Sequence, residues 1–140
     1  MLSSKASCLC GAVNITANEI NPKFTVCHCD SCRGWGGAPF FALQCGENLN
    51  IEGGEKVKVY ESSSWASRGF CTDCGTHLFF KFNASGDYNI PAGIFTNLDA
   101  ADLKMDMQYF SDQRPAYYCF SNETKEMTKA EIMAHFVTSI

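Results

Sequence analysis

The stretch Val26-Cys-His-Cys-Asp-Ser-Cys-Arg33 carries three thiols, and two further pairs flank it in the chain, Cys8-Leu-Cys10-Gly11 and Cys71-Thr-Asp-Cys74-Gly75. No other feature restricts the fold so strongly, because thiols at this spacing either chelate an ion or oxidise in pairs. The cysteine count is nine, an odd number that makes a poor disulfide framework. The beginning, MLSSKASCLCGAV, has no long apolar core ahead of a small-residue cleavage site, and no apolar run approaches a membrane span. A soluble, cytoplasmic chain is the expectation, and in that compartment thiols stay reduced. Metal binding then explains the cysteines best.

Each flanking pair can occupy two positions on one ion. The glycine after the second cysteine suits a tight knuckle whose backbone N–H groups turn toward the sulfurs. Cys8, Cys10, Cys71 and Cys74 together make a tetrahedral four-thiolate zinc site that clamps the N-terminal strand to a mid-chain hairpin, with a structural purpose. The other readings of these four are buried free thiols or a redox C-x-x-C. Cys27, Cys29 and Cys32 remain as a group of three with no adjoining fourth cysteine. Structural zinc sites close with four protein ligands, whereas catalytic ones use three and keep a position open. His28, Asp30 and His77 are the candidates for closing it, although an extended backbone would turn His28 away from its two neighbours. Left open, an ion on three thiolates keeps Lewis acidity and can receive an external thiol.

With 140 residues, 46% hydrophobic and 19% charged, the chain is expected to be a single domain over residues 1–140 with a real core. A net charge of -4 argues against a partner rich in phosphates, so nucleic acid is not expected, and neither is a membrane. Short β-branched and aromatic segments recur: AVNIT, PFFAL, KVKVY, HLFFKF, GIF and MDMQYF. Turn-like EGGE and NASGD separate some of them. The pattern predicts a mainly β, mostly antiparallel fold. Near the end, Thr128 and Glu131 form a capping box, and Ile132, Met133, Phe136 and Val137 make a stripe at helical spacing. One C-terminal helix packed on the sheet is the expectation.

The segments CLCGAV, CHCDSCR, PFFAL, YESSSWASRGFCTDCGTHLFF and GIFTNLD resemble the glutathione-dependent formaldehyde-activating enzymes over roughly the first hundred residues. The resemblance implies a β-tent of stacked antiparallel sheets and two zinc ions. Cys8, Cys10, Cys71 and Cys74 would hold the structural ion, and Cys27, Cys29 and Cys32 the catalytic one. It also implies a carbon-sulfur lyase-type reaction in which glutathione, or a similar small thiol, adds to formaldehyde or a similar small aldehyde to give S-hydroxymethylglutathione. Glutathione carries two carboxylates, so its site should offer cations and free backbone donors. Arg33, with the glycine-rich turn Gly34-Trp35-Gly36 after it, is the first candidate, and Arg68 and Lys81 come second.

Phe40, Phe41, Trp65, Phe70, Phe79 and Phe80 are expected mostly in the core, and Cys45 as an inert buried thiol. Cys119 stands in RPAYYCFSNET, which faintly resembles a segment of the B-type methionine sulfoxide reductases, β-tents with a late nucleophilic cysteine. A third class is a zinc-stabilised binding module whose three-cysteine group is closed by a fourth protein ligand.

Overall fold

In the computed structural model, which describes residues 1–137, alternation along the strands divides the chain into two sheets. The smaller sheet holds β1 (Leu2–Ser7), β2 (Asn14–Ile20) and β5 (Leu49–Glu52), with β2 in the centre and both ladders antiparallel. β2 turns Ile15, Ala17 and Ile20 inward, and its ladder with β1 sets Ala6 opposite Ile15.

The larger sheet has eight strands. They are β3 (Lys23–Cys27), β4 (Phe40–Gln44), β6 (Val57–Glu61), β7 (Ala66–Cys71), β8 (His77–Phe82), β9 (Tyr88–Pro91), β10 (Lys104–Tyr109) and β11 (Lys125–Met127). Their spatial order is β11-β10-β3-β4-β9-β8-β7-β6. Leu43, Leu78, Phe79 and Ile90 from this sheet meet Val13, Ile15 and Ile20 in one apolar cluster that also encloses Cys45. Removing such area from water is the main stabilising contribution, at about 25 cal/mol per Å².

The mainly β expectation holds. One departure concerns β10, which pairs parallel with both β3 and β11. Parallel neighbours need a long crossover instead of a hairpin, so no local turn signal announces them. The GIF segment is not a strand: Ala92–Ile94 is a single 3₁₀ turn following β9.

The expected C-terminal helix is present but short. Thr128 Oγ1 accepts from the Glu131 N–H at 3.3 Å while Glu131 Oε1 accepts from the Thr128 N–H at 3.1 Å, so the capping box starts α2 (Lys129–Ile132) as predicted. The chain then widens into a π-type turn over Met133–Val137, which rotates successive side chains off the α-helical stripe. Of the expected apolar face only Ile132 is buried, and Met133 and Phe136 are 47% and 40% exposed. The Val137 side chain lies outside the described part. Among the described residues no helix is long and apolar enough to cross a membrane.

A second helix, α1 (Asp30–Gly36), stands where the sequence suggests a glycine-rich turn. Cys29 is its N-cap, with Sγ accepting from the Cys32 N–H at 3.3 Å, and Gly37 closes it in the left-handed region. Because β3 and β4 pair antiparallel with Cys27 opposite Phe40, α1 spans the end of that hairpin. On β7, Gly69 makes room for a neighbour: a Cβ there would lie 2.3 Å from the Phe79 ring of the adjacent strand, which would have to shift.

Candidate functional site

The turn between β1 and β2 carries Cys8 and Cys10, and Cys71 at the end of β7 and Cys74 in the turn that follows form the second pair. Gly11 and Gly75 take φ of 82° and 76° there, a region open to glycine at no steric cost. In the first turn the Gly11 N–H bonds the Cys8 carbonyl at 3.1 Å, and in the second the Gly75 N–H bonds the Cys71 carbonyl at 2.8 Å. Folding brings the two turns together, with the Leu9 N–H donating to Thr76 Oγ1 at 3.0 Å.

The four sulfurs all lie within 4.8 Å of one another. Tetrahedral thiolate coordination at a metal–sulfur distance near 2.3 Å sets sulfurs ~3.8 Å apart. The Cys8–Cys10 and Cys10–Cys71 separations are 3.6 and 3.8 Å, so the donor set fits a tetrahedral ion. The Val13 N–H donates to Cys8 Sγ at 3.2 Å. The Thr76 hydroxyl and backbone N–H draw the Cys74 thiol down to about 5. Stabilised thiolates of this kind are what a metal ligand requires.

The second group sits where β3 ends and α1 begins. Cys27, Cys29 and Cys32 hold their sulfurs within 4.8 Å of each other, and among the described residues no histidine, carboxylate or fourth cysteine joins them. Thiol hydrogen bonds from Cys27 and then Cys32 hold the Cys29 thiol below its ordinary pKa, while its neighbours Cys29 and Cys32 push Cys27 up. One negative charge is therefore easily accommodated, and a second or third needs a cation beside it.

Part of that cation is supplied by the protein. Arg68, on β7 and 3% exposed, reaches Cys32 Sγ with both Nη1 and Nη2 at 3.6 Å. Its guanidinium lies over the Trp35 and Phe80 rings at 5.0 and 4.9 Å from their centroids, a cation–π arrangement. Sequence reasoning placed Arg68 on a glutathione carboxylate, because a contact across 36 positions of chain leaves no local signal.

His28 is fully buried and turned away from the sulfurs, as an extended backbone requires. Gln108 Oε1 already accepts from Arg114 Nη1 at 2.9 Å, so His28 Nε2, 2.8 Å from the same oxygen, must carry a proton. Its Nδ1 then accepts from the Tyr118 hydroxyl at 2.6 Å. Gln108 Nε2 donates onward to Thr124 Oγ1 at 2.8 Å, and Arg114 pairs with Glu126 at 3.0 Å. Burial holds the His28 imidazole below its usual pKa, in keeping with a neutral ring. The chain beyond β10 thus anchors the three-cysteine loop, a role its sequence does not announce.

Beside Cys32 opens a cleft of about 350 Å³, lined by Cys32, Trp35 and Gly36 from α1, by Gly75 and Thr76 from the β7–β8 turn, and by His77 at the start of β8. Trp35 stacks on His77 with centroids 3.9 Å apart and planes 7° from parallel. Of the residues proposed for glutathione, Trp35 and Gly36 line this cleft, whereas Arg33 and Gly34 do not. Arg33 donates through Nε to the His28 carbonyl at 2.9 Å and through Nη2 to Asp30 at 2.6 Å. Lys81 sits over the Tyr88 ring, 5.2 Å from its centroid.

Of the expected aromatics, Phe40, Phe79 and Phe80 are buried, Phe41 and Phe70 are half-buried, and Trp65 is 58% exposed. Cys45 is fully buried, and burial pushes its thiol up to about 12, as an inert thiol should be. Cys119 is exposed and belongs to neither sulfur group.

Comparison with known proteins agrees with the geometry. The chain is 37% identical over 134 residues to an uncharacterized lyase of Schizosaccharomyces pombe, covering 95% of this chain and 96% of the relative. A crystal structure of a Rhodobacter sphaeroides protein superposes with a TM-score of 0.58 at 26% identity, over 70% of this chain and 93% of that one. The family model described as glutathione-dependent formaldehyde-activating enzyme matches residues 3–113, and by that match the chain belongs to the glutathione-dependent formaldehyde-activating enzyme family.

Proposed function

We propose that this protein is a zinc-dependent, cytoplasmic enzyme of the carbon-sulfur lyase type that adds glutathione, or a similar small thiol, to formaldehyde or a similar aldehyde. The three-sulfur group, which no fourth protein ligand joins among the described residues, carries this reading, because it leaves room for a ligand from solution. In the reaction a bond forms between the thiol sulfur and the carbonyl carbon, the C=O π pair moves to oxygen, and the thiol proton ends on that oxygen. Cys8, Cys10, Cys71 and Cys74 would hold a structural zinc, and Cys27, Cys29 and Cys32 a second one. When bound, the second ion supplies Lewis acidity and favours the thiolate form of a thiol near neutral pH.

The remaining work falls to residues of the chain. α1 and the β7–β8 turn hold two reactants in one cleft, which removes the entropic part of their encounter. Arg68 offsets negative charge at Cys32, and the Trp35–His77 stack forms a firm wall. The His28 network fixes the loop, so its ring is a positioning group instead of a ligand. The closed binding-module reading loses support because His28 faces Gln108 and Tyr118, and the reductase reading because Cys119 stands apart from both groups.

The test is metal content by elemental analysis of wild type and the Cys27→Ser/Cys29→Ser/Cys32→Ser variant, before and after millimolar glutathione. Two zinc ions in wild type, one in a folded variant, and glutathione acting only on the second ion are expected. Two ions that both resist glutathione would instead mark a closed site.

A further inference from the structure

Arg68 holds more hydrogen-bond donors than its surroundings use. A guanidinium carries five N–H donors in a flat fork. Cys32 Sγ, 3.6 Å from Nη1 and from Nη2, faces the end of that fork. The side of the fork, where the Nε–H and one Nη–H run parallel, is left over, and Nε is buried with no hydrogen-bond partner among the described residues. Folded proteins leave few buried donors unmet, so each one that remains needs an explanation in a ligand or a function. Balancing the Cys32 sulfur does not require this edge, since a lysine ammonium would bring the same charge as a point.

The surroundings of that edge narrow what can fill it. Arg68 Cζ lies 5.0 Å from the Trp35 ring centroid and 4.9 Å from that of Phe80, so the guanidinium is enclosed by rings and only a small acceptor fits beside Nε. Among the described residues no carboxylate pairs with Arg68. Cys32 and Trp35 also line the cleft, so a reactant in the cleft meets the side chains that flank the guanidinium. A charged donor gains most from an acceptor that is itself charged. When a thiol adds to an aldehyde, the carbonyl oxygen turns into such an acceptor during the reaction.

We infer that the free Nε edge of Arg68 donates to the aldehyde oxygen and holds the alkoxide that forms there, which makes Arg68 a catalytic residue. The inference rests on the thiol–aldehyde reading above and adds the group that meets the developing charge. As the thiol sulfur bonds to the carbonyl carbon, the C=O π pair moves to oxygen, and the hydrogen bond from Nε–H strengthens with that charge. Arg68 keeps its proton, because a guanidinium does not deprotonate in a protein. The proton given up by the thiol returns from solvent to the oxygen. A carbonyl as small as that of formaldehyde suits the enclosed position.

Two measurements on the full-length, zinc-loaded protein test it. The first uses Arg68→Lys, which keeps a cation beside Cys32 and removes the side edge. With excess zinc and its content matched to wild type, kcat with glutathione and formaldehyde is expected to fall about 10²–10³-fold, the usual loss of one oxyanion donor, with KM for glutathione unchanged. The second follows the Arg68 Nε–H signal by proton–nitrogen NMR in the glutathione-loaded wild type as formate, an unreactive one-carbon oxygen acceptor, is added. Arg68→Lys assigns the signal by deleting it. A saturable downfield shift is expected, with formate binding weakened about tenfold or more in Arg68→Lys, as for loss of a charge-assisted bond. Wild-type kcat in folded, zinc-loaded Arg68→Lys, or an Nε–H signal that formate does not move, overturns the inference. If formate moves the signal but wild type turns over no aldehyde, the donor edge stands and the thiol–aldehyde reaction falls.

Discussion

Arg68 shows how one buried cation can decide the character of a cluster of thiols. A guanidinium with 3% exposure and no carboxylate partner among the described residues is stable only if something else balances its charge, and Cys32 sulfur takes both of its Nη groups. Arg68→Met is expected to weaken metal retention by the three-cysteine group about 10–100-fold, the usual effect of losing a group that supports a ligand. Arg68→Lys should restore part of it, and retention by the four-cysteine group should not move. Chelator competition with separate readout of the two ions decides this, and equal retention in wild type and Arg68→Met would remove the assigned role. Gln108 carries the corresponding load for His28. Gln108→Leu strands a buried imidazole N–H, and a loss of about 1–3 kcal/mol in urea unfolding is expected. The presence of Arg68 and His28 near the cysteines was legible in the sequence. Their partners were not, since Cys32 is 36 and Tyr118 is 90 positions away along the chain.

Among the elements, those with a local cause were legible and those with a distant one were not. β2, β4, β6, β8 and β10 announce themselves by β-branched and aromatic runs, and α2 by its capping box. Thr128→Ala should therefore cost about 1 kcal/mol of stability, less if the widened turn after Ile132 already frays. α1 escaped notice because Gly34 and Gly36 depress helix propensity, and what sustains it is a cysteine cap and the β3–β4 hairpin beneath. The β7–β8 ladder depends on an absent side chain. Gly69→Ala would press a methyl into the Phe79 ring, so a loss of about 1–3 kcal/mol, seen as a lower Tm with unchanged metal content, is the expected outcome.

At the scale of the molecule, under the proposed reading the four-cysteine group serves stability and the three-cysteine group chemistry. A structural zinc site contributes an apparent ~10–16 kcal/mol of binding energy to folding, comparable to the whole ~5–15 kcal/mol stability of a typical domain. Cys8→Ser/Cys71→Ser is thus expected to leave a chain without a cooperative thermal transition, whereas the triple serine variant at Cys27, Cys29 and Cys32 should melt cooperatively. Calorimetry of both variants distinguishes them, and similar melting would mean the four-cysteine group does not clamp the fold. The two groups of candidate metal-binding cysteines and the mainly β class were already legible along the chain, because chelating spacing and strand alternation are properties of neighbouring residues. The parallel ladders of β10, the partners of Arg68 and His28, and the uncharged walls of the cleft emerge only when distant segments meet. Each of those depends on segments that meet only when non-local pairing has buried the apolar faces, and no local pattern records which cation will be left facing which anion.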